Sequence, residues 1–381
     1  MKIIVIGCGN IGSVAADDLS RSLSNVEITL ADNNKEKVKS TAGKIKRKNV
    51  KWRCIDATDK KQLINEIKKY NLVVGLLPAD FGYSLIESCI NAGRDLVDVS
   101  YMPENPLKLN NSAVKAGVTV IPDCGLAPGI SNVLVGHAVS KLDKVLSVHI
   151  LVGGLPEKPV PPLGYTVTWS PENLIDEYTR KTRIQKKGKM VEVETLSGLE
   201  EIEIPKAGRL EAFFTDGLRT LLHTVQPKEE MWEKTLRYPG HVEKIKLLKS
   251  LGFFEQDKIK VAGNLVSPKK FTATLFEKTL RKSKIKDIVA LRVKVSGIKN
   301  NVKRTYLYHL FDRFDSKSKT SAMSRTTAYP ASVFAQILLK KIINKKGVIA
   351  LEKLGSDKNI YNLFISELNK RGIRVIENNS P

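Results

Sequence analysis

The sequence of 381 residues contains few cysteines and no long apolar segment. Its four cysteines lie far apart, without the CxxC spacing of a metal site or the density of a disulfide framework, which favours a reducing compartment. No apolar run approaches the roughly 18 residues of a membrane helix, and the run before Gly7 is too short for the core of a signal peptide. We therefore expect a cytoplasmic protein without a membrane span.

Histidine is equally scarce, and its five copies show neither HxxxH nor HExxH spacing. Zinc sites use ligands at such spacings, so no metal is predicted. No nucleophile elbow and no ordered set of Ser, His and Asp is visible either. The sequence therefore predicts neither a zinc enzyme nor covalent catalysis.

Acidic residues are too few to balance the basic ones. The 63 lysines and arginines stand against 40 acidic residues and give a formal net charge of +23. The excess is concentrated in Lys44 to Arg53 and Lys278 to Arg304, where it does not alternate with aromatic side chains as on a single-strand-binding surface. We expect a solvated basic surface and no nucleic acid partner. Polyanion binding is the alternative, and it would weaken steeply with salt.

What is present is an ordinary globular composition, with 42% hydrophobic and 27% charged residues. At about 150 residues per domain, the length predicts two domains and allows three. Apolar strands and amphipathic helices alternate strictly at the start of the chain, which is typical of a parallel sheet covered by helices. The predicted strands are Lys2 to Ile6, Val26 to Ala31, Val50 to Ile55, Leu72 to Leu77, Asp95 to Val99 and Val118 to Ile121. They suffice for a dinucleotide-binding Rossmann domain over residues 1–124.

The pattern changes after Pro122, where a turn leads into a helix near Ile130 and strands then follow strands. The strand candidates are Val145 to Val152, Tyr165 to Trp169, Arg209 to Phe214, Ile288 to Val295 and Lys303 to Phe311. This order predicts an α+β domain with a mainly antiparallel sheet over residues 125–325, for substrate binding and dimerisation. Residues 326–381 are predicted to be helical and to return to the first domain, with a helix beginning near Tyr329-Pro330-Ala331. The predicted fold class is thus α/β, a Rossmann domain joined to this α+β domain.

The strongest chemical signal is the loop Gly7-Cys8-Gly9-Asn10-Ile11-Gly12, between the first strand and the first helix. The first glycine permits a tight turn, the second lets the backbone approach a diphosphate, and the third allows close packing of helix and strand. The helix N-terminus adds free N–H groups and a partial positive charge. Gly7, Gly9, Asn10, Ile11 and Gly12 are therefore predicted to bind a dinucleotide.

Asp32 ends the second strand at the distance where a carboxylate binds the adenosine ribose hydroxyls. Its charge would repel a 2′-phosphate, and Asn33 and Asn34 supply no compensating arginine. The sequence therefore predicts NAD as the cofactor. The nearby Lys35 keeps NADP open as the alternative.

Further cofactor contacts are predicted where later strands end, since ligands of open α/β sheets bind at the carboxyl edge. Asp56 and Ala57 follow the third strand and should border the adenine. Leu76, Leu77 and Pro78 follow the fourth and should pass the nicotinamide, and Ser100 follows the fifth. For Asp56 and Ser100, a purely local capping or turn role is the alternative.

Several strings, taken together and in order, resemble the saccharopine dehydrogenase superfamily over nearly the whole chain. They include Asp98-Val99-Ser100-Tyr101, Gly125-Leu126-Ala127-Pro128-Gly129, Gly153-Gly154-Leu155-Pro156, Leu163-Gly164-Tyr165 and Thr235-Leu236-Arg237-Tyr238-Pro239-Gly240. Within that superfamily the chain is most similar to L-lysine 6-dehydrogenases, on Asp176-Glu177-Tyr178-Thr179-Arg180, Thr215-Asp216-Gly217-Leu218-Arg219 and Arg325-Thr326-Thr327-Ala328-Tyr329-Pro330.

The resemblance implies a homodimeric enzyme that oxidises the ε-carbon of lysine with NAD, yielding allysine and ammonia. Where saccharopine-forming reductases carry an arginine for the glutamate arm of their substrate, this chain carries Asp216. That departure favours a smaller, cationic substrate. The alternatives are a saccharopine or carboxynorspermidine dehydrogenase or reductase using NAD(P), and a nucleotide-sensing protein without turnover.

A lysine ammonium has a pKa near 10.4, so the site needs a group that takes up its proton before hydride can leave. Asp123 and Tyr101 are the predicted catalytic and substrate-contacting residues, with Asp98 and Cys124 as further candidates. The substrate carboxylate suits a guanidinium, because its planar fork binds both oxygens. Arg237 is the first choice and Arg180 the second, although either could instead form a structural ion pair; Arg219 and Arg325 lie in similar strings. Gly153, Tyr165 and Asp216 complete the predicted substrate site through the resemblance.

Overall fold

The computed structural model describes residues 1–167, 170–281 and 285–380 and contains two compact units. The first unit comprises Met1–Ser140, Arg219–Thr224 and Ser324–Ile373, and the second comprises Lys141–Leu218, Val225–Met323 and the residues from Arg374 onward. The first unit thus continues past residue 124 to Ser140 and takes in a short internal segment. The end of the chain is divided between the units at residue 373.

The first unit is built on a parallel sheet of seven strands, numbered with all other elements along the whole chain. The strands are β1 (Lys2–Ile6), β2 (Glu27–Asp32), β3 (Val50–Cys54), β4 (Leu72–Gly75), β5 (Asp95–Asp98), β6 (Thr119–Ile121) and β17 (Gly347–Val348). Their order is β17-β6-β5-β4-β1-β2-β3, and every pair is parallel. The predicted Rossmann sheet is confirmed. The seventh strand, from the C-terminal part of the chain, was not predicted.

The following helices of the first unit pack against the strands of this sheet or against one another. They are α1 (Asn10–Ser22), α2 (Lys35–Ile45), α3 (Lys60–Ile67), α4 (Ala79–Ala92), α5 (Asn110–Lys115), α6 (Ile130–Ser140), α12 (Leu351–Gly355) and α13 (Lys358–Lys370), with a 3-10 turn at Pro106–Leu109. Asp59 caps α3, since its carboxylate accepts the backbone N–H of Gln62 at 3.0 Å. None of the helices in the described ranges is both long and apolar enough to cross a lipid bilayer.

Helix α11 (Ala322–Leu339) corrects one prediction, because it begins seven residues before the Tyr329 start expected from Pro330. Proline lacks the N–H of a helix interior and is typical of the first turn, which favours a start near Tyr329, yet here Pro330 lies inside the helix. The first turn is capped from far away in sequence. The carboxylate of Asp287 accepts the backbone N–H groups of Ala322 at 2.8 Å and Met323 at 2.9 Å.

The second unit contains a mixed sheet of nine strands. They are β7 (Lys144–Pro156), β8 (Thr182–Lys186), β9 (Lys189–Val193), β10 (Glu200–Ile204), β11 (Gly208–Phe214), β12 (Glu230–Arg237), β15 (Asp287–Lys299), β16 (Val302–Arg313) and β18 (Val375–Ser380). The main path is β10-β11-β12-β7-β15-β16-β18; β8 pairs with β12 and β9, and only the β12–β7 pair is parallel. The predicted, mainly antiparallel sheet is confirmed.

Helices α7 (Pro171–Thr179), α9 (His241–Ser250) and α10 (Pro268–Leu280) contribute to an apolar core of the second unit together with Tyr165 and Phe213. A separate hairpin is formed by β13 (Ile259–Val261) and β14 (Asn264–Val266). The predicted strand from Tyr165 to Trp169 is wrong over its described part, because Tyr165 to Val167 form no strand. Residues 168 and 169 lie outside the described residues.

Candidate active site

The glycine loop between β1 and α1 has the geometry expected of a diphosphate-binding turn. Gly7 has a φ of +103°, a conformation that side chains rarely adopt. A Cβ on Gly12 would overlap the carbonyl oxygen of Gly7, so the helix can only approach the strand because position 12 has no side chain. A Cβ on Gly9, in contrast, would meet no atom of the described residues within 4 Å. Packing thus explains two of these glycines, while the third leaves the backbone open to a ligand.

The N-terminus of α1 suits a phosphate for a second reason. Gly9 is its N-cap and supplies no side-chain hydrogen bond, and no acidic residue lies in the first turn. The first-turn N–H groups, which include those of Asn10 and Ile11, and the positive end of the helix dipole therefore have no anionic cap there. These features fit a bound dinucleotide.

The Asp32 carboxylate at the end of β2 is fixed beside this loop. Its Oδ2 accepts the backbone N–H of Cys8 at 2.9 Å, and its Oδ1 accepts that of Asn34 at 3.0 Å. Burial tends to raise the pKa of Asp32, but these hydrogen bonds outweigh it and hold the pKa below its usual value. The carboxylate is therefore charged at neutral pH, with the ammonium of Lys37 4.0 Å from Oδ2.

Two other segments predicted to contact the cofactor, Asp56–Ala57 and Leu76–Pro78, lie at the same edge of the sheet. Asp56 is exposed, and its Oδ1 accepts the backbone N–H of Thr58 at 2.8 Å and the hydroxyl of Thr58 at 2.7 Å. These bonds stabilise the local turn that also contains Ala57. The segment Leu76–Pro78 leaves β4 beside the glycine loop, where the N–H of Leu76 donates to the carbonyl of Ile6 at 2.8 Å. Pro78 then occupies the N-cap position of α4 without a side-chain hydrogen bond to it.

The end of β5 carries a buried carboxyl group at Asp98. Its Oδ2 accepts the backbone N–H of Ser100 at 2.9 Å and also the hydroxyl of Ser100. Its Oδ1 is buried with no hydrogen-bond partner among the described residues. Burial raises the pKa of Asp98 to about 7, although the hydrogen bonds from Ser100 oppose this. A Cβ on Gly82 of α4 would overlap the hydroxyl of Ser100, so Ser100 packs under that helix and has the turn role that the sequence also allowed.

Asp123 follows β6 and forms an ion pair with an arginine from the internal segment of the first unit. The Nε of Arg219 donates to Oδ1 of Asp123 at 3.1 Å, and both side chains are almost fully buried. The Nη1 of Arg219 donates to the carbonyl oxygens of Met102 and Glu104, and its guanidinium carbon lies 6.0 Å from the ring centre of Tyr101. The predicted catalytic residues Tyr101 and Asp123 are therefore joined through Arg219.

This ion pair is strained and incompletely bonded. Asp123 and Arg219 have φ values of +59° and +50°, in the left-handed region that non-glycine residues rarely occupy. Oδ2 of Asp123 and Nη2 of Arg219 are buried without a hydrogen-bond partner among the described residues. Burial raises the pKa of Asp123, and the charge of Arg219 opposes that rise without cancelling it. Strain and unmet hydrogen-bonding groups of this kind concentrate at functional sites.

In the second unit, Arg237 belongs to a buried network. Its Nη2 lies 3.2 and 3.1 Å from the two carboxylate oxygens of Glu177, and its guanidinium carbon lies 4.5 Å from the ring centre of Tyr165. The hydroxyl of Tyr178 and Nε2 of His241 are 2.9 Å apart. Because Nδ1 of His241 faces the carbonyl oxygen of Leu163 at 2.8 Å, Nδ1 is the donor and Nε2 accepts from Tyr178. Arg237 thus forms the structural ion pair that the sequence analysis gave as the alternative to substrate binding.

Asp216 is also held inside the second unit. Its carboxylate accepts the backbone N–H, the Nε and the Nη2 of Arg183 at 3.0, 3.0 and 2.7 Å, and it is almost fully buried. Arg180 ends α7, where its N–H donates to the carbonyl of Asp176 at 2.9 Å. Gly153 lies in β7, where a Cβ would be 2.7 Å from Cβ of Leu236 on the neighbouring strand. These contacts describe packing and ion pairing rather than side chains open to a ligand.

Sequence reasoning missed the role of Arg219, although it lies in one of the family-like strings. Its partner Asp123 follows β6 and lies 96 residues away from Arg219 in sequence. No local pattern assigns residues 219–224 to the first unit. The same holds for Arg183 and Glu177, whose partners are separated from them by 33 and 60 residues.

Two family models match the chain. The saccharopine dehydrogenase NADP binding domain matches residues 3–121, and the saccharopine dehydrogenase C-terminal domain matches residues 125–373. Carboxyaminopropylagmatine dehydrogenase of Synechocystis sp. is 22% identical over 98% of this chain and 96% of its own. The NADP-linked, L-glutamate-forming saccharopine dehydrogenase of Saccharomyces cerevisiae is 27% identical over 67% of this chain and 59% of its own. A solved structure of the apo, L-Glu-forming saccharopine dehydrogenase of Saccharomyces cerevisiae aligns over 100% of both chains, with a TM-score of 0.81 at 20% identity, which shows a common fold.

The Rossmann sheet, its glycine loop and these matches define a nicotinamide dinucleotide-linked oxidoreductase. The chain belongs to the saccharopine dehydrogenase family.

Proposed function

We propose that the protein is an NAD-dependent dehydrogenase that oxidatively deaminates a side-chain amine, with L-lysine as the first substrate to test. The carbon bearing the amine gives a hydride to NAD, and the nitrogen leaves as ammonia after water adds to the resulting imine. Lysine, NAD and water thus become allysine, ammonium, NADH and a proton. Allysine then cyclises to piperideine-6-carboxylate.

The preference for NAD rests on Asp32. Its carboxylate is charged at neutral pH and lies beside the loop that would hold the diphosphate. A carboxylate in this place accepts hydrogen bonds from ribose hydroxyls and repels a 2′-phosphate. The matching domain family is named for NADP binding. The preference for NAD that we propose for this chain therefore depends on Asp32.

The observation that favours a primary amine over saccharopine is the arrangement around Asp216. Saccharopine-forming enzymes are expected to use an arginine at this position for the second dicarboxylic arm. Here an aspartate stands there, and both of its oxygens are bonded to Arg183. The position therefore offers no free cation to a second carboxylate-bearing arm, which supports a substrate with a single carboxylate.

Tyr101 and Asp123 are the proposed proton-handling residues. Tyr101 is half-buried and Asp123 is almost fully buried, so we assign the contact with the substrate amine to Tyr101. Asp123 holds Arg219 in place and, with a raised pKa, can accept a proton at Oδ2 more readily than an ordinary carboxylate. The nicotinamide supplies the hydride acceptor when it is bound.

A second candidate is the oxidation or formation of a secondary amine, as the names of the Synechocystis and yeast relatives indicate for those proteins. Absorbance at 340 nm separates the two. Growth with NAD and lysine alone supports oxidative deamination. Turnover only when NAD(P)H, an amine and a carbonyl compound are all present, or with saccharopine as donor, would replace it by the second candidate. No change with any of these pairs, at full cofactor binding, would contradict both.

A further inference from the structure

The internal segment Arg219–Thr224 is held in the first unit by a buried carboxylate. Glu352, in α12, is 2% exposed. Its Oε2 accepts the hydroxyl of Thr220 at 3.1 Å, and its Oε1 accepts the hydroxyl of Thr224. Residues four apart lie on the same face of a helical turn, so both threonines of the short helix α8 (Leu221–Thr224) and its preceding turn face the same carboxylate.

The same carboxylate also reaches the turn that follows Asp123. Oε2 of Glu352 accepts the side-chain N–H of Asn132 at 3.0 Å. The side-chain oxygen of Asn132 in turn accepts the backbone N–H of Gly129 at 3.1 Å. Glu352 therefore contacts the chain next to each member of the Asp123–Arg219 pair. It bonds to Thr220, the residue after Arg219, and through Asn132 to the turn that follows Asp123.

The position of Glu352 itself is fixed by close helix packing. A Cβ on Gly136 of α6 would overlap the backbone carbonyl of Glu352, and a Cβ on Gly355 would overlap the carbonyl of Val133. The two helices thus touch through their backbones. Among the described residues the carboxylate of Glu352 has no basic partner and accepts only from the neutral donors Asn132, Thr220 and Thr224. Burying a carboxylate without an opposite charge costs stability, so this arrangement favours a role beyond packing.

We propose that Glu352 is a positioning residue of the active site, which sets the geometry of the Asp123–Arg219 pair and of the loop that carries Tyr101. This inference rests on the proposed function in that the Tyr101 loop contacts substrate. Arg219 needs such support, since its left-handed backbone conformation is disfavoured and must be imposed by its surroundings. Loss of the Glu352 contacts would let Arg219 relax away from Asp123 and from the carbonyls of Met102 and Glu104.

The test compares Thr224→Val with Thr224→Ser, because the first removes the hydroxyl that Glu352 accepts and the second keeps it. Glu352→Gln is the companion variant. Ser356→Ala is the control, since the hydroxyl of Ser356 donates to the backbone carbonyls of Glu352 and Gly136 at the same helix junction and, among the described residues, forms no hydrogen bond with residues 219–224. Each full-length protein is assayed for kcat and KM with amine, for NADH affinity by calorimetry, and for backbone hydrogen exchange.

Thr224→Val and Glu352→Gln are expected to lower kcat by about 10- to 100-fold, as a displacement of about 1 Å at a reacting group does. NADH affinity should be unchanged, and amide exchange should rise in residues 101–104 and 219–224. Thr224→Ser and Ser356→Ala should keep the wild-type kcat. Wild-type kcat in Thr224→Val, or an equal loss in Ser356→Ala, would overturn the proposal.

Two further outcomes are decided by the same set. If Glu352→Gln does not fold, the Thr224 pair alone gives the answer. If the wild type binds NADH but oxidises no amine, the proposed function fails, and exchange then decides the positioning role: faster exchange at residues 101–104 in Thr224→Val than in Thr224→Ser supports it, and equal exchange overturns it.

Discussion

The Nε of Arg219 lies 3.1 Å from Oδ1 of Asp123, and both residues have left-handed backbone conformations. A pair this deeply buried is costly to break from one side only, because the remaining charge has no solvent and no partner. It joins the end of β6 to the loop after β5, where the proposed chemistry would occur.

Arg219→Met should therefore destabilise the protein by about 3 to 5 kcal/mol, the usual cost of leaving a buried charge unpaired. Adding Asp123→Asn should recover part of that loss, since the stranded carboxylate is then neutral. Urea unfolding of the two single variants and the double variant measures both effects. Additive losses would show that the two side chains do not depend on one another.

Substitutions at two of the three loop glycines, Gly9 and Gly12, should have different effects. Gly12→Ala should lower the melting temperature, because its Cβ overlaps the carbonyl of Gly7. Gly9→Ala should leave the melting temperature unchanged, since its Cβ meets no atom of the described residues within 4 Å, yet weaken NADH binding by blocking the approach of the diphosphate. Differential scanning fluorimetry and calorimetry distinguish these outcomes. Tight NADH binding by Gly9→Ala would contradict the diphosphate site.

Asp32→Ala should weaken NAD binding by about 10- to 100-fold, in line with about 1.5 to 3 kcal/mol for hydrogen bonds to a charged group. NADP binding should improve, because the repulsive carboxylate is gone and the neighbouring ammonium of Lys37 remains. Glu36→Gln, which removes an exposed acid four residues away, is the matched control. Titration of both cofactors into each variant measures the ratio. An unchanged NAD to NADP ratio in Asp32→Ala would rule out this discrimination.

Glu233 on β12 predicts a loss of stability as pH rises. Burial, together with the negative charges of the neighbouring Glu177 and Asp216, raises the pKa of this carboxyl to about 8. In the unfolded chain it would release its proton near its ordinary value of 4.5. The unfolded state thus binds fewer protons between these two values, so the free energy of unfolding falls as pH rises through this range and levels off above about 8.

Glu233→Gln, which cannot ionise, should be close to the wild type near pH 4 and more stable by a few kcal/mol, to order of magnitude, at pH 9. Urea unfolding across that range measures the difference. The exposed Glu203→Gln on β10 is the control and should show no such divergence. Parallel stability profiles for the wild type and Glu233→Gln would mean that Glu233 ionises normally.

The features predicted correctly from the sequence are those that depend on residues close to one another in the chain. Gly7, Gly9 and Gly12 occur together between a strand and a helix, and Asp32 ends the next strand, so their neighbours in space are also near in sequence. Strands β1, β2, β4, β5 and β6 are almost entirely buried and appear as short apolar runs, which makes them recognisable in the sequence, whereas β3 is largely exposed.

The features that were not predictable depend on partners far away in the chain. Asp287 caps α11 from 35 residues before Ala322, so the sequence around Pro330 pointed to a later start. Arg237 resembles a free anion-binding residue until Glu177, 60 residues earlier, is placed against it. The sequence gives the charge of a side chain but does not identify the oppositely charged residue that will lie next to it in the fold.

The first unit draws on three stretches of the chain, and this has a consequence for biosynthesis. While the ribosome has made only residues 1 to 140, Asp123 has no Arg219, Asn132 has no Glu352, and β6 lacks its neighbour β17. Until translation has passed residue 352, the nascent first unit therefore has β6 as an unpaired edge strand and lacks some of these partners. Formation of these contacts requires synthesis past residue 352, and fragments ending near residue 140 lack all of them.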